Sequence, residues 1–189
     1  MNRTLVLLAC LAATPALAYA LPQDWRSYSD AAFGFTIDYP REFTVDTDHD
    51  YTALGPGMDV RGVAFIVPSS VAAGTNLAPD SYIGVDVFPR ALECTPKAFL
   101  SDPAGTHPVK DGGRDWIVAT GSDRAAGNIY DEIVYVLANS TPCIGVRYFI
   151  HSADIGNYDP GAVHAFDRAA LISTFDKIRQ SLVPAPVAQ

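Results

Sequence analysis

The chain has 189 residues, 21 acidic side chains against 13 lysines and arginines, a formal net charge of −8 and 49% hydrophobic residues. This size fits a single domain with a substantial core. The acidic surplus disfavours nucleic acid and anionic membrane surfaces as partners, because both repel a negatively charged protein.

The N-terminus has the order of a cleavable secretory signal. A single charge at Arg3 precedes an apolar run at residues 5–13 and then a cluster of small residues, which is the order of a signal peptide. The run is too short for the roughly 20 apolar residues that span a bilayer. Small residues fit cleavage after Ala18 or after Ala20. We expect residues 1–20 to be removed and the mature chain to be periplasmic or secreted, in a bacterium.

The three cysteines fall into two groups. Cys10 ends a Leu-Leu-Ala-Cys segment, but lipidation there would leave a signal too short for a charged and an apolar region. We therefore do not expect a lipoprotein. Cys94 and Cys143 remain in a chain that leaves the reducing cytoplasm, which predicts one disulfide between them.

Strand patterns dominate the first half of the mature chain. Residues 35–39 alternate apolar and polar between a glycine and a proline, and a short strand follows at 43–45. The apolar run 63–67 suits a strand covered on both faces. Residues 69–80 have the composition of a loop.

The middle of the chain predicts a strand, a short helix and a turn. Residues 82–88 alternate so that the odd positions should point inward. Thr95 and Pro96 are an N-cap and a first helical residue, which predicts a short helix to about Leu100. Residues 111–113 form a turn.

The segment from 115 to 151 predicts an antiparallel meander. Its strands are residues 116–120, 129–137 and 143–150, and its turns are 121–127 and 139–142.

The chain closes with an amphipathic helix. Asp159 and Pro160 are its predicted cap and first turn, and apolar residues then recur at helical spacing until Pro184. We expect residues 184–189 to be a disordered tail. The remaining residues, 21–183, form one α+β domain, a mainly antiparallel twisted sheet whose apolar face the closing helix covers.

Two segments carry a resemblance to a known family. Trp25, Tyr28 and residues 33–40, together with the closing stretch 166–182, resemble the PsbP-like (Mog1/PsbP fold) family in its bacterial exported members. The resemblance implies an α/β/α sandwich, in which helices cover both faces of an antiparallel sheet. It brings no catalytic residues and implies little about function, because proteins with different roles share this fold.

An acidic segment raises the question of a metal site. Asp46, Asp48 and Asp50 begin like a calcium loop, but such a loop needs glycine and glutamate where this chain has Tyr51 and Gly57. The interpretation favoured here is a solvated acidic turn after a strand. We expect no metal and no cofactor.

Four polar residues are candidate partner contacts. Arg147 and His151 share a strand face with Cys143, and a disulfide at Cys143 leaves no thiolate for Cys-His catalysis. Arg147 either contacts an anion or is a paired strand arginine over an aromatic ring. Arg124 and Asn128 lie in a polar loop that either approaches a ligand or is a hairpin turn.

No catalytic motif is present in the sequence, such as G-x-S-x-G, H-E-x-x-H, a phosphate-binding glycine loop or C-x-x-C. The first hypothesis is a non-enzymatic envelope protein that binds a protein or a small ligand through the sheet or through a groove beside the helix. The second is a hydrolase or transferase with dispersed site residues. The third is a periplasmic immunity or inhibitor protein whose acidity neutralises a basic toxin.

Overall fold

The computed structural model describes residues 23–58, 60–88 and 93–185. The predicted signal peptide, Cys10 and the last four residues of the predicted tail lie outside these ranges. None of the helices in the described ranges is long and apolar enough to cross a membrane.

The described residues form ten strands, two α-helices and two short 3-10 helices. The strands are β1 (Trp25–Asp30), β2 (Phe35–Pro40), β3 (Thr44–Tyr51), β4 (Val60–Ile66), β5 (Tyr82–Phe88), β6 (Ala104–Asp111), β7 (Arg114–Ala125), β8 (Asn128–Leu137), β9 (Cys143–Ala153) and β10 (Val183–Pro184). The α-helices are α1 (Ser69–Ala72) and α2 (Arg168–Gln180), and the 3-10 helices are Pro96–Ala98 and Ile155–Asn157.

Seven strands build the main sheet in the order β3-β4-β5-β9-β8-β7-β6, and β1, β2 and β10 build a smaller one. All strand pairs in both sheets are antiparallel. The predicted meander is present as β7, β8 and β9. Gly112 and Gly113, with φ of 57° and 73°, make the tight turn between β6 and β7, a conformation that glycine adopts without steric cost.

The main core lies between α2, the small sheet and one face of the main sheet. Phe175, Ile178 and Leu182 are fully buried there, together with Trp116 and Tyr148. The Asp167 side chain caps α2 by accepting a hydrogen bond from the Ala170 amide at 2.9 Å. Helix α2 thus begins later than predicted, because Asp167 rather than Asp159 is its cap.

The opposite face of the main sheet, called the outer face below, is covered over one half by residues 93–100. Phe99 and Leu100 are buried against it. Phe99 packs on Gly145, where an added Cβ would lie 2.5 Å from the ring. Cys94 and Cys143 form the predicted disulfide, with their Cα atoms 5.3 Å apart, and it fastens this covering segment to β9.

The α+β class with mainly antiparallel sheets is confirmed, but the two-sided sandwich of helices is not. In the described ranges the outer face is covered by a segment with a single 3-10 turn, not by an α-helix. The odd positions Ile83, Val85 and Val87 of β5 face the main core, as predicted. The even positions Tyr82, Gly84 and Asp86 face the outer side and are buried as well.

Other local predictions also fail where tertiary pairing overrides local composition. The acidic segment around Asp46, Asp48 and Asp50 is not a turn but part of β3, which pairs with β4 through a bulge. The loop 69–80 contains α1. Pro184 pairs with Phe35 of β2 in β10 instead of beginning a tail. Strand β6 was missed because its glycine, histidine and proline give it no strand pattern.

Candidate binding surface on the outer sheet face

Arg147 lies at the centre of the outer face and is completely buried. Its Nε donates to Asp86 Oδ2 at 2.8 Å, one Nη donates to Glu132, and the other donates to the Phe99 carbonyl oxygen at 2.7 Å. The Tyr51 ring covers the guanidinium, with its centroid 3.4 Å from Cζ. A surface contact through Arg147 is therefore not available, and the structure matches the alternative of a paired arginine over an aromatic ring.

The charge states of this cluster follow from burial and neighbours. Burial works to lower the pKa of Arg147, but Asp86 and Glu132 outweigh it and raise that pKa above its ordinary value. Burial also raises the pKa of Tyr51, whose hydroxyl donates to Glu132 Oε1 at 2.8 Å. The arginine stays charged and the tyrosine stays protonated, so Arg147 of β9 holds β5 and β8 through ion pairs with Asp86 and Glu132.

Five rings form a row across the half of the outer face that residues 93–100 leave free, and we call them the aromatic row. They are His49 of β3, Tyr82 of β5, Phe149 and His151 of β9, and Tyr130 of β8. Successive ring centroids are 4.6 Å apart from His49 to Tyr82, 5.1 Å from Tyr82 to Phe149, 6.2 Å from Phe149 to Tyr130 and 4.4 Å from Tyr130 to His151. All except Tyr82 are partly exposed, so solvent reaches the row.

Strand alternation and small neighbours explain why these rings meet. Side chains two apart on a strand share a face, and Phe149 and His151 continue the face of Arg147. Gly84 and Gly62 leave space across β4 and β5. A Cβ on Gly84 would lie 3.0 Å from the Tyr82 ring, so this glycine allows Tyr82 to lie flat against the sheet.

Carboxylates surround the aromatic row. Asp80 Oδ1 lies 2.7 Å from His151 Nδ1, and Asp46 Oδ2 lies 3.7 Å from His49 Nδ1. Asp123 of β7 is the register partner of Tyr130 and shares its face. An aromatic surface edged by carboxylates attracts cations, because both ring faces and carboxylates carry negative potential.

The remaining predicted contacts lie beside this surface. Asn128 opens β8 two residues before Tyr130, so it is on the outer face, opposite Ala153 of β9. Arg124 pairs with Ile129 and therefore projects from the other face, where it lies 3.9 Å from Asp154. The hairpin alternative is correct for their loop, but the turn is confined to Ala126 and Gly127.

The acidic segment of β3 does not gather into a metal centre. Asp50 Oδ1 lies 3.7 Å from Arg61 Nε, and the Asp48 amide donates to Asp46. Within residues 23–58, 60–88 and 93–185, no three histidine, cysteine, aspartate or glutamate side chains are placed to hold a metal ion.

Of the four candidate partner contacts, His151 and Asn128 lie on this face, but most members of the aromatic row were not among the candidates. Tyr82, Tyr130 and Phe149 were assigned to strands without a role, and Asp86 and Glu132 were not singled out. The pattern that could have found them is strand alternation. In a strand whose apolar residues face the core, the residues between them line the opposite face, and polar and aromatic residues there are candidates for a second surface.

No protein-family model and no curated protein matches this sequence. Two solved structures are similar in fold. A crystal structure from Bacteroides thetaiotaomicron has a TM-score of 0.52 and 12% identity over 88% of this chain, which spans only 51% of that protein. The solution structure of cyanobacterial PsbP (CyanoP) from Synechocystis sp. PCC 6803 has a TM-score of 0.50 and 14% identity, covering 90% of this chain and 98% of the other. Identities this low bear on the fold alone.

Proposed function

We propose that this chain, whose fold is PsbP-like, is an exported, non-enzymatic protein of the bacterial envelope that binds a basic segment of a partner protein. The aromatic row is the observation that carries the proposal. It is a rigid, partly exposed aromatic surface on a part of the sheet where solvent has access, and its edges carry carboxylates.

A lysine or arginine of the partner suits this surface for two reasons. A cation over a ring face gains about 0.5–2 kcal/mol, and Tyr130 and Phe149 are partly exposed. Asp80 and Asp123 stand next to the rings, where they can accept charge-assisted hydrogen bonds. The net charge of −8 would also raise the rate at which a basic partner arrives.

The row is held in place before any partner binds. Its rings project from β3, β5, β9 and β8, and β9 is anchored beside them by Arg147 and its two carboxylates. Less side-chain freedom is then lost on binding, which favours affinity.

The direct test uses the exported, purified protein and two labelled peptides of equal length, one rich in lysine and one rich in glutamate. Fluorescence anisotropy should show saturable binding of the lysine peptide only. Tyr130→Ala and Phe149→Ala should each weaken that binding about tenfold, the size of an interface hot spot. Tyr158→Ala is the matched control, because Tyr158 is an exposed aromatic residue outside the row.

Two results would contradict the proposal. Equal binding of the two peptides would remove the charge argument, and equal losses from Tyr130→Ala and Tyr158→Ala would remove the surface. If the peptide test succeeds, a photo-crosslinking residue at position 130, with position 158 as the control, identifies the natural partner in intact cells.

Export is the second part of the proposal and has its own test. The charged, apolar and small-residue order of the N-terminus and the Cys94–Cys143 disulfide both favour it. Intact mass of the protein recovered from the periplasm should correspond to loss of residues 1–20. A mass that retains them would reject export by this signal, and a lipid adduct on Cys10 would show a lipoprotein instead.

The other two hypotheses stand differently. An immunity or inhibitor protein is favoured by the same observation, because an acidic aromatic surface also suits a basic toxin, and binding of such a toxin would be abolished by Tyr130→Ala. No observation in the described ranges favours a hydrolase or transferase. The strongly perturbed tyrosines there, Tyr51, Tyr82 and Tyr148, have pKa values raised by burial, which keeps them protonated.

A further inference from the structure

A second concave site lies on the other side of the main sheet, where three elements meet. One wall is the β1–β2 pair with Ser27 and Asp38, the second is the end of α2 with Lys177 and Ser181, and the third is the start of β7 with Arg114. The groove has a volume of about 580 Å³, within the roughly 300–1,000 Å³ typical of small-ligand sites.

Arg114 is the unusual charge of this groove. The two buried arginines, Arg147 and Arg179, are each paired with two carboxylates. Arg114 is also partly buried, but within the described ranges its recorded hydrogen bonds are to carbonyl oxygens, those of Gly112 at 3.0 Å and Gln180 at 3.3 Å.

Both of those bonds use a single nitrogen of Arg114, Nη1. Burial without a carboxylate lowers the pKa of Arg114 from its ordinary value. Its Nε and Nη2 form no hydrogen bond with the described residues, so the guanidinium has donors left for an anion. Lys177, exposed one turn before the end of α2, lines the same groove and adds a second positive charge.

The opposite wall is negative. Asp38 forms no recorded ion pair or side-chain hydrogen bond with the described residues, although its backbone amide donates to the Ser181 hydroxyl at 2.8 Å. A positively charged ligand group is therefore favoured beside Asp38, and a negatively charged one is favoured beside Arg114 and Lys177.

We propose that this groove binds a small zwitterion of the amino acid or short peptide class. The ligand carboxylate would pair with Arg114 and Lys177, and its ammonium group would pair with Asp38 near the C-terminal end of α2. Planar guanidinium groups suit carboxylates because two parallel hydrogen bonds form at once. The groove is on the α2 side of the sheet and the aromatic row is on the outer face, so the proposal is independent of the partner-binding function.

The probe is the dipeptide Ala-Ala, titrated into the ¹⁵N-labelled exported protein and followed by amide chemical shifts. Shifts should concentrate at the groove residues and saturate with a Kd of about 1 mM, as expected for few and partly solvated contacts. N-acetyl-Ala-Ala lacks the ammonium group and Ala-Ala amide lacks the carboxylate. Each should bind at least about fivefold more weakly, because one wall of the groove loses its partner.

The variants isolate the two walls. Lys177→Gln and Asp38→Asn should each weaken Ala-Ala binding about three- to tenfold. Lys110→Gln should leave it unchanged, because Lys110 is an exposed lysine paired with Asp115 away from the groove. Since Lys177 is exposed, its replacement leaves the fold intact, and an unchanged spectrum outside the groove verifies this.

Three results would overturn the proposal. The first is an absence of shifts at the groove up to about 20 mM Ala-Ala, well above the expected Kd. The second is equal binding of the blocked dipeptides or of inorganic phosphate, which would mean that the groove recognises one charge only. The third is an equal loss from Lys110→Gln and Lys177→Gln, which would make the effect one of net charge.

Discussion

Replacing Arg147 by methionine should destabilise the protein more than any surface change, because it leaves two carboxylates without their shared cation. Asp86 is completely buried, and its Oδ1 already has no hydrogen-bond partner among the described residues. Without the guanidinium, Oδ2 would lose its partner too. Glu132 is less affected, since 15% of its side chain is exposed and Tyr51 still donates to it.

Removing one member of a buried ion pair typically costs about 3–5 kcal/mol, mostly from the charge left behind. We therefore expect Arg147→Met to lower the free energy of unfolding by about 3–5 kcal/mol. The double variant Arg147→Met/Asp86→Leu removes the stranded buried carboxylate as well. It should be more stable than Arg147→Met alone by more than about 1 kcal/mol.

Urea unfolding followed by circular dichroism measures both effects. With a slope of about 2 kcal/mol per molar urea, the single variant should shift the midpoint down by about 1.5–2.5 M. Arg26→Met on β1 is the control, since Arg26 is exposed and should change stability by less than about 0.5 kcal/mol. If Arg147→Met were as stable as Arg26→Met, or the double variant less stable than the single one, the buried cluster would not be a charge-compensated unit.

Three further predictions concern stability. Phe175→Ala removes a fully buried ring and should cost about 3–5 kcal/mol, whereas Lys177→Ala on the exposed side of α2 should stay within about 0.5 kcal/mol; equal urea midpoints would mean that α2 does not pack as described. The Cys94–Cys143 disulfide closes a loop with a sequence separation of 49, for which the chain-entropy model gives about 4 kcal/mol of stabilisation. Reduction should therefore lower the thermal unfolding midpoint markedly, and two alkylatable thiols in the native, unreduced protein would refute the bond. Hydrogen bonds from Gln180 and Arg179 lower the pKa of Asp111 from its ordinary 3.8, so the carboxylate stabilises the fold above about pH 4 and this contribution is lost as pH falls through the lowered pKa. Asp111→Asn should therefore flatten the acid side of the curve of unfolding free energy against pH, measured by urea unfolding, and an unchanged curve would contradict this.

Much of the fold was predictable because its signals are local. Period-two alternation located β2, β5 and the meander, and the cysteine count together with the export signal predicted the disulfide. Strand β6 and the acidic half of β3 were not predictable in this way. Both owe their conformation to pairing with a neighbour, and pairing overrides weak local preference.

The candidate site was less predictable than the fold. His151 could be placed on a strand face from alternation alone, and so could Arg147. Whether a side chain on that face is exposed or buried depends on what covers it, and the cover here comes from residues 93–100 and from Tyr51. For that reason Arg147 changed from a candidate contact to a buried anchor.

By itself the sequence determined which residues share a strand face and which cysteines can pair, because these depend on backbone alternation and residue chemistry. Only the tertiary structure decided that Asp86 and Glu132 meet Arg147, that five rings from four strands form one row, and that Arg114 lies opposite Asp38 across a groove. These arrangements join residues far apart in the chain, and their proximity is set by strand order and by which segment covers each sheet face.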